Sequence, residues 1–180
     1  MYEEILDVAE QLFMTQGYQA TSTRQITQIL GVTQPTIYYH FKNKEDIYYR
    51  VMLRLSNDVE INLKKIANAS SSALEIKLLE MVEFLKAKHP FNLFVMMHDI
   101  QHTVSKETSM KLYQLFLKSY KSPFIQLLQE NKNHLRHSVD IDFAVSQLFI
   151  LMAAYLDSTD RSEDFSKRIY LYLHGIYQSE

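Results

Sequence analysis

Cysteine is absent from this chain of 180 residues, and glycine and proline are rare, with three of each. Without cysteine there can be no disulfide framework and no thiolate metal site. Few glycines and prolines leave few interruptions of regular structure, which favours long helices over a sheet protein with many turns. Hydrophobic residues make up 47% of the chain and can furnish a sizeable core. With so few helix-breaking residues, the sequence predicts an all-α protein.

Long apolar runs are also lacking. The most apolar stretch, residues 143–156, contains Ser146 and Gln147 and is too short to span a bilayer. The chain does not open on the basic and apolar pattern of a secretory signal. We therefore expect a soluble, cytoplasmic protein.

The most informative pattern lies in residues 22–47, STRQITQILGVTQPTIYYHFKNKEDI. Ser22 followed three residues later by Gln25 is the signature of a capping box at a helix start. Gly31 is suited to end this helix, because glycine adopts the left-handed conformation found after helix C-termini. The apolar stripe between these two signals consists of Ile26, Ile29 and Leu30. These signals predict a short first helix and a tight turn.

A second short helix follows the turn at once. Thr33 can cap it, and Pro35 is tolerated in a first turn whose amide has no intrahelical partner. Ile37 and Phe41, four residues apart, anchor the helix to a small core. The residues left outside this stripe are Pro35, Thr36, Tyr39 and, at its edge, His40. A thin apolar stripe with an exposed polar start suits a helix that enters the major groove of DNA.

The same stretch resembles the tetracycline-repressor (TetR) family of bacterial regulators. The matching residues are Gly31-Val32, then Thr36-Ile37-Tyr38-Tyr39-His40-Phe41, and then Lys42-Asn43-Lys44-Glu45-Asp46. The resemblance covers roughly the first 50 residues. It implies a helix-turn-helix DNA-binding domain over residues 1–46 and a helical ligand-binding and dimerisation domain over residues 47–180. It also implies a transcriptional repressor that binds a palindromic operator as a homodimer and is released by a small molecule.

Hydrophobic periodicity predicts about nine helices in all, the last two over about residues 140–157 and 162–178. The first of these two is apolar on nearly every side, since Ser146, Gln147 and Tyr155 are its only polar side chains between residues 143 and 156. One interpretation buries this helix at the centre of a monomer. The other, which the resemblance favours, packs the last two helices of each subunit into a homodimer interface.

The distribution of charge matters more than its sum. The net charge is −2, yet no Asp or Glu occurs between Thr15 and Lys44, where Arg24, Lys42 and Lys44 give +3. The acids nearest to this stretch on its N-terminal side, Glu3, Glu4, Asp7 and Glu10, belong to the first predicted helix. A local cationic face of this kind can bind DNA on an otherwise acidic protein.

The DNA-binding residues follow from chemistry and from the resemblance together. Arg24 is long enough to reach a guanine edge, where the resemblance places a base-reading arginine, although a phosphate contact is the alternative. Gln34 can pair with adenine, and Pro35 and Thr36 offer apolar or hydroxyl contacts. The resemblance implies phosphate contacts for Tyr38, Tyr39 and His40. Lys44, at the start of the fourth helix, is predicted to contact a phosphate.

A ligand cavity is the main hypothesis for the middle of the chain. Methionine and aromatic residues recur there at helical spacing, which fits an ordinary core and also a cavity for an apolar or aromatic effector. The resemblance favours the cavity. The predicted ligand-binding residues are Met81, Phe94, Met97, Tyr113 and Phe116.

No pattern in the chain indicates catalysis. His98 and His102 lie four residues apart, a spacing that can hold a metal, but they lack a HExxH motif and an obvious third ligand. We therefore predict no catalytic residue, no metal site and no cofactor. Two alternatives remain open: a DNA-binding protein gated by a protein partner without a small-molecule effector, and a helical enzyme or carrier that uses a cavity in its bundle.

Overall fold

The computed structural model describes residues 1–70, 73–88, 103–157 and 165–177. In these ranges the regular elements are helices, without any strand, and one isolated antiparallel bridge joins Leu135 to Tyr177. The α-helices are α1 (Tyr2–Ala20), α2 (Thr23–Leu30), α3 (Gln34–His40), α4 (Lys44–Ala67), α5 (Leu74–Lys88), α6 (Lys106–Leu115), α7 (Ser122–Glu130), α8 (Ile141–Asp157) and α9 (Phe165–Ile176). A π-helix spans Phe116–Lys121 and a 3₁₀ turn spans Lys132–His134. The all-α prediction is confirmed.

The chain forms two compact units. We call the described part of Met1–Asn57 and Leu93–Phe116 the head unit, and the described part of Asp58–Asn92 and Leu117–Glu180 the body unit. The head unit thus includes α1 to α3, the first half of α4, and α6. The division into functional domains at residue 46 stays a prediction.

A single apolar core holds the head unit together. It collects buried faces from α1, α2, α3 and α4, in keeping with the helical spacing of the apolar residues in the sequence. Leu112 of α6, only 3% exposed, joins the same core although it lies more than 50 residues further along the chain. The other members are Ile5, Leu6, Ala9, Phe13, Ile26, Ile37, Phe41, Ile47, Tyr48, Val51, Met52 and Leu55.

Local signals in the sequence predict several helix ends, among them a first helix over about residues 2–16 that ends at Gly17. Gly17, with φ 81° and ψ 171°, interrupts α1 where the first helix was expected to end, and one further turn follows to Ala20. The Asn43 side chain caps α4 by accepting a hydrogen bond from the Asp46 amide at 2.8 Å. The sequence also predicts a capping box of Ser72 with Glu75 and a sixth helix from Phe91 to about Thr103, but Ser72 and residues 91–102 lie outside the described residues.

A proline at position 123, inside a helical pattern, predicts a kink or a break, but Pro123 has a milder effect in the structure. The residues before it continue as the π-helix, and Pro123 itself lies in the first turn of α7, where a missing amide costs little. In this segment the buried Ser119 hydroxyl donates a hydrogen bond to Glu60 Oε2 at 3.2 Å. Proline is therefore accommodated by a change of helical hydrogen bonding.

Among the described residues, no helix is both long enough and apolar enough to cross a membrane.

The ion pairs and hydrogen bonds of Glu60 in the body unit predict a contribution of this carboxylate to the free energy of unfolding. Its carboxylate accepts hydrogen bonds from Lys64 Nζ at 2.6 Å and from Ser119, and Lys118 Nζ lies at 3.3 Å. The hydrogen bond from Lys64, the first of these causes, lowers the pKa of Glu60 below its ordinary value of 4.5. We expect Glu60→Gln to lower the free energy of unfolding by about 1–2 kcal/mol at pH 7, because a charge-assisted hydrogen bond is lost.

The pH dependence follows from the sign of the shift. Since the pKa is lower in the folded state, the carboxylate stabilises the fold above pH 4.5, and that contribution disappears as the pH falls through the folded pKa. Urea denaturation of both proteins at pH 7 and at acidic pH should show the difference shrinking. Glu107→Gln, which removes an exposed carboxylate paired with Lys111, is the control and should have little effect. An equal difference at both pH values would contradict the assignment.

Candidate nucleic-acid interface

The start of α2 is fixed by the predicted capping box. The Ser22 Oγ accepts a hydrogen bond from the Gln25 amide at 3.2 Å, and the Ser22 amide donates to Gln25 Oε1 at 2.8 Å. At the other end, Gly31 adopts the left-handed conformation with φ 65°, and its amide bonds the Thr27 carbonyl. One part of the prediction was wrong. Ile29 is 59% exposed and lies outside the core, because an eight-residue helix buries only one narrow face.

The second helix of the motif, α3, has one buried side. Ile37 and Phe41 are buried in the head core, as predicted, and the Phe41 amide closes the last turn on the Ile37 carbonyl. Thr33 stands at the N-cap position but makes no side-chain cap. Its hydroxyl lies 3.2 Å from that of Thr36, which takes the place of the predicted capping bond. The burial of Ile37 and Phe41 therefore decides which side of α3 faces the solvent.

The predicted DNA-reading side chains are accessible. Arg24 on α2 and Gln34 and Pro35 on α3 are exposed, and Tyr39 is 84% exposed, more than any other large apolar or aromatic side chain among the described residues. Thr36 is half-buried. A base-reading or phosphate-binding side chain needs this accessibility, so the geometry meets the requirement for these residues.

Two aromatic residues of α3 also have partners within the head unit. The Tyr38 hydroxyl lies 3.4 Å from the Thr23 hydroxyl, which connects α3 to the first turn of α2. His40 is half-buried, and its ring lies edge-on to Tyr2 and to Tyr39, with centroid distances of 6.1 and 5.0 Å. These contacts restrain both side chains before any nucleic acid is present.

Lys44 has an unexpected set of partners. Its Nζ donates hydrogen bonds to the backbone carbonyls of Tyr18 and Thr21 at 2.8 and 2.9 Å, and lies 4.1 Å from the centroid of the Tyr18 ring. Burial lowers the pKa of the Lys44 ammonium. Burial and, second, the charge of Glu45 raise the pKa of the Tyr18 phenol. An ammonium has three N–H donors, so at most one of those on Lys44 is left for a phosphate.

Sequence reasoning missed the role of Arg54. Its guanidinium, on α4, bonds three carboxylates of α1, those of Glu3, Asp7 and Glu10, at 3.3, 2.7 and 2.6 Å. The spacing of these acids places them on one side of α1, a signal that was available in the sequence. Their common partner could not be read there, because it lies more than 40 residues away. Arg54 gathers three of the acids of α1 on one guanidinium.

The predicted ligand-binding residues fall into three groups. Met81 is fully buried in the body unit. Tyr113 is 47% exposed and Phe116 is half-buried, both in the head unit, with their rings stacked at a centroid distance of 6.4 Å. Phe94 and Met97 lie outside the described residues, as do His98 and His102. The cavity stays a prediction. Among the described residues, no group of three His, Asp or Glu side chains could hold a metal ion.

Comparison with known proteins identifies the first part of the chain. The sequence profile of the family "Bacterial regulatory proteins, tetR family" matches residues 5–51. The HTH-type transcriptional regulator AcrR of Shigella flexneri is 39% identical over 75 residues, which make up 41% of this chain and 35% of AcrR. The negative transcriptional regulator IcaR of the biofilm operon icaADBC in Staphylococcus epidermidis is 38% identical over 48 residues, 27% of this chain and 26% of IcaR.

Solved structures extend the likeness to the whole fold. The transcriptional regulator FadR of Bacillus subtilis, crystallised with stearoyl-CoA, has a TM-score of 0.74 and 19% sequence identity. The alignment covers 97% of this chain and 96% of FadR. The aligned parts of AcrR and IcaR, by contrast, are about a third or less of those proteins.

These matches, together with the capped helix-turn-helix, define a DNA-binding domain of the TetR type in the first part of the chain. The match to the TetR family covers residues 5–51, and beyond them the solved structures show a shared fold. AcrR and IcaR are both named as regulators of transcription, which agrees with the expectation that this chain is not an enzyme.

Proposed function

We propose that the protein is a cytoplasmic transcriptional repressor that binds a palindromic operator as a homodimer. The observation that carries the proposal is the capped α2–α3 pair, which exposes Arg24, Gln34 and Pro35 while Ile37 and Phe41 hold α3 in the core. Arg24, Gln34, Pro35 and Thr36 are the proposed base-reading residues, with Tyr38, Tyr39 and His40 on the phosphates. The negative regulator IcaR supports repression over activation.

Electrostatics supports the same proposal. The stretch from Thr15 to Lys44 carries three cations and no acid, and three acids of α1 are held by Arg54. A phosphate backbone that approaches α2 and α3 therefore meets no carboxylate from this stretch. Attraction of this kind is independent of sequence and weakens as the salt concentration rises.

Arg24 provides the test of operator recognition. We expect Arg24→Ala to weaken binding to the operator by about 1–3 kcal/mol and to relax the preference at one base position per half-site, because a bidentate contact to guanine is lost. Binding curves for an operator duplex and a scrambled duplex at several salt concentrations measure both effects. Gln28→Ala, which shortens an exposed side chain of the same helix, is the control. Equal affinity of the unmodified protein for both duplexes would contradict the repressor function.

The last two helices supply the proposed dimer interface. Phe143 and Ile150 lie seven residues apart on α8 and are 62% and 57% exposed, and Tyr170 and Leu171 on α9 are 52% and 71% exposed. The Tyr172 hydroxyl donates to the Ala144 carbonyl at 2.8 Å, which fastens α9 to α8. An apolar surface on two joined helices is suited to meet the same surface of a second copy around a two-fold axis.

Charge placed on this surface tests the dimer. We expect Ile150→Lys with Leu171→Glu to give a folded monomer that has lost operator affinity, because one head contacts too few bases. Sedimentation measures the assembly, and circular dichroism checks the fold. Ile61→Lys is the control, since this isoleucine of α4 is 68% exposed and lies outside the proposed interface. A double variant that still sediments as a dimer would place the interface elsewhere.

We propose further that an apolar or aromatic small molecule releases the operator. The methionine and aromatic residues Met81, Phe94, Met97, Tyr113 and Phe116 are the proposed contacts. The complex of FadR with stearoyl-CoA supports an apolar effector, since it shows that this fold can hold a ligand with an acyl chain.

An effector must bind the DNA-incompetent state more tightly than the DNA-bound state if it is to release the operator. In a screen of fatty acyl and aromatic compounds, we expect at least one that raises the melting temperature and weakens operator binding together. Met81→Lys, which places a charge at a buried position, should abolish the response, provided that the variant remains folded. Met110→Lys, at an exposed methionine, is the control. A screen in which nothing stabilises the protein would favour gating by a protein partner.

A further inference from the structure

Lys44 lies at a junction of three segments of the head unit. It occupies the first position of α4, while its ammonium reaches the carbonyl of Tyr18, after the break of α1 at Gly17, and the carbonyl of Thr21. Thr21 directly precedes Ser22, the capping residue of α2. A single side chain thus joins the start of α4 to the backbone that leads into α2.

The segment that Lys44 binds is ordered by further hydrogen bonds. The buried Thr21 donates its hydroxyl to the Gly17 carbonyl at 2.8 Å. Gln16 Nε2 bonds the Ala20 carbonyl at 3.1 Å, the Thr21 hydroxyl at 3.2 Å and Gln25 Oε1 at 3.3 Å. Gln25 is also the second member of the capping box at Ser22. The segment that receives the Lys44 ammonium is therefore hydrogen-bonded, through Gln16, to the group that sets the start of α2.

The position of Arg24 depends on this arrangement, because Arg24 lies in the first turn of α2, two residues after Ser22. A base contact by a long side chain requires the helix to stand in one place relative to the rest of the DNA-binding unit. The ammonium supplies a hydrogen-bonded and charge-assisted tie at that point, with the Tyr18 ring packed against it.

We propose that Lys44 is a positioning residue, which fixes the N-terminus of α2 and hence Arg24 relative to α4, and that it is not a phosphate contact. The sequence predicted a phosphate contact for this lysine, but two of its three donors are already committed to carbonyls. The inference rests on the operator recognition proposed above.

Lys44→Met tests the role, because methionine keeps an apolar stem and removes the ammonium. Lys42→Met is the matched control, since it removes the same charge from an exposed side chain two residues earlier. Both variants and the unmodified protein are titrated with an operator duplex and a scrambled duplex across a range of salt concentrations, at a temperature where all three are folded.

A positioning role changes the ratio of the two affinities. We expect Lys44→Met to lose about tenfold to a hundredfold of the preference for operator over scrambled duplex, which is the size of one misplaced bidentate base contact. The slope of log affinity against log salt should stay the same, and Lys42→Met should keep the ratio.

Two other roles give different results. A phosphate contact would weaken both duplexes equally and reduce the salt slope by about 0.9 per head. A merely structural role would lower the active fraction, which weakens both duplexes equally and leaves both the ratio and the slope unchanged. Either result overturns the positioning role. Equal binding of both duplexes by the unmodified protein would contradict operator recognition itself, which distinguishes the two failures.

A second measurement covers the case in which Lys44→Met does not fold. Nitrogen-15 NMR of the lysine ammonium groups in the unmodified protein should show Lys44 with slowly exchanging protons, and with a signal that scarcely moves when the operator is added. An ammonium that exchanges as fast as those of exposed lysines, or that shifts on binding DNA, would overturn the proposal.

Discussion

The burial of Ile37 and Phe41 is the contact on which the DNA-binding surface depends. Helix α3 contains Ile37, is followed directly by Phe41 and has only seven residues. An isolated helix of that length is unstable in water. Helix α3 persists because these two side chains, 0% and 2% exposed, pack into the head core. Their direction also decides which residues face outward, so that Gln34, Pro35 and Tyr39 reach the solvent as a consequence of the anchoring.

The core that receives α3 draws on distant parts of the chain. Leu112 of α6 contributes to it, and the Ser105 amide at the start of α6 is hydrogen-bonded to the Glu45 carboxylate on α4. Lys44, the neighbouring residue, binds the carbonyls that lead into α2. The first turn of α4 therefore has contacts in two directions within the head unit, with α6 and with the segment between α1 and α2.

Local signals explain which features could be predicted from the sequence. The capping box of Ser22 and Gln25, the left-handed Gly31 and the buried pair on α3 all depend on residues within four positions of each other. Such spacings are visible in any single sequence. The residues that resemble the TetR family lie in the same stretch, so the sequence predicts the DNA-binding residues in more detail than any others.

Tertiary contacts explain what the sequence could not show. The carbonyl partners of Lys44 lie 23 and 26 residues away, and the carboxylate partners of Arg54 lie 44 to 51 residues away. Ile29 fits the apolar stripe of α2 by spacing, yet it is 59% exposed, because spacing along one helix does not say which neighbouring element covers it. Pro123 shows the same limit, because a π-helical turn can absorb a proline that local rules expect to break a helix.

Selection of bound sequences from a pool of random duplexes by the purified protein tests whether the proposed operator recognition exists. If the protein is the proposed two-fold dimer, with one short helix of each subunit reading a half-site, a single motif with two inverted half-sites should be enriched. Recovery of a palindrome would also define the operator for the variants. A pool that remains random after several rounds, with retention set by salt alone, would show that binding is independent of sequence and would contradict operator recognition.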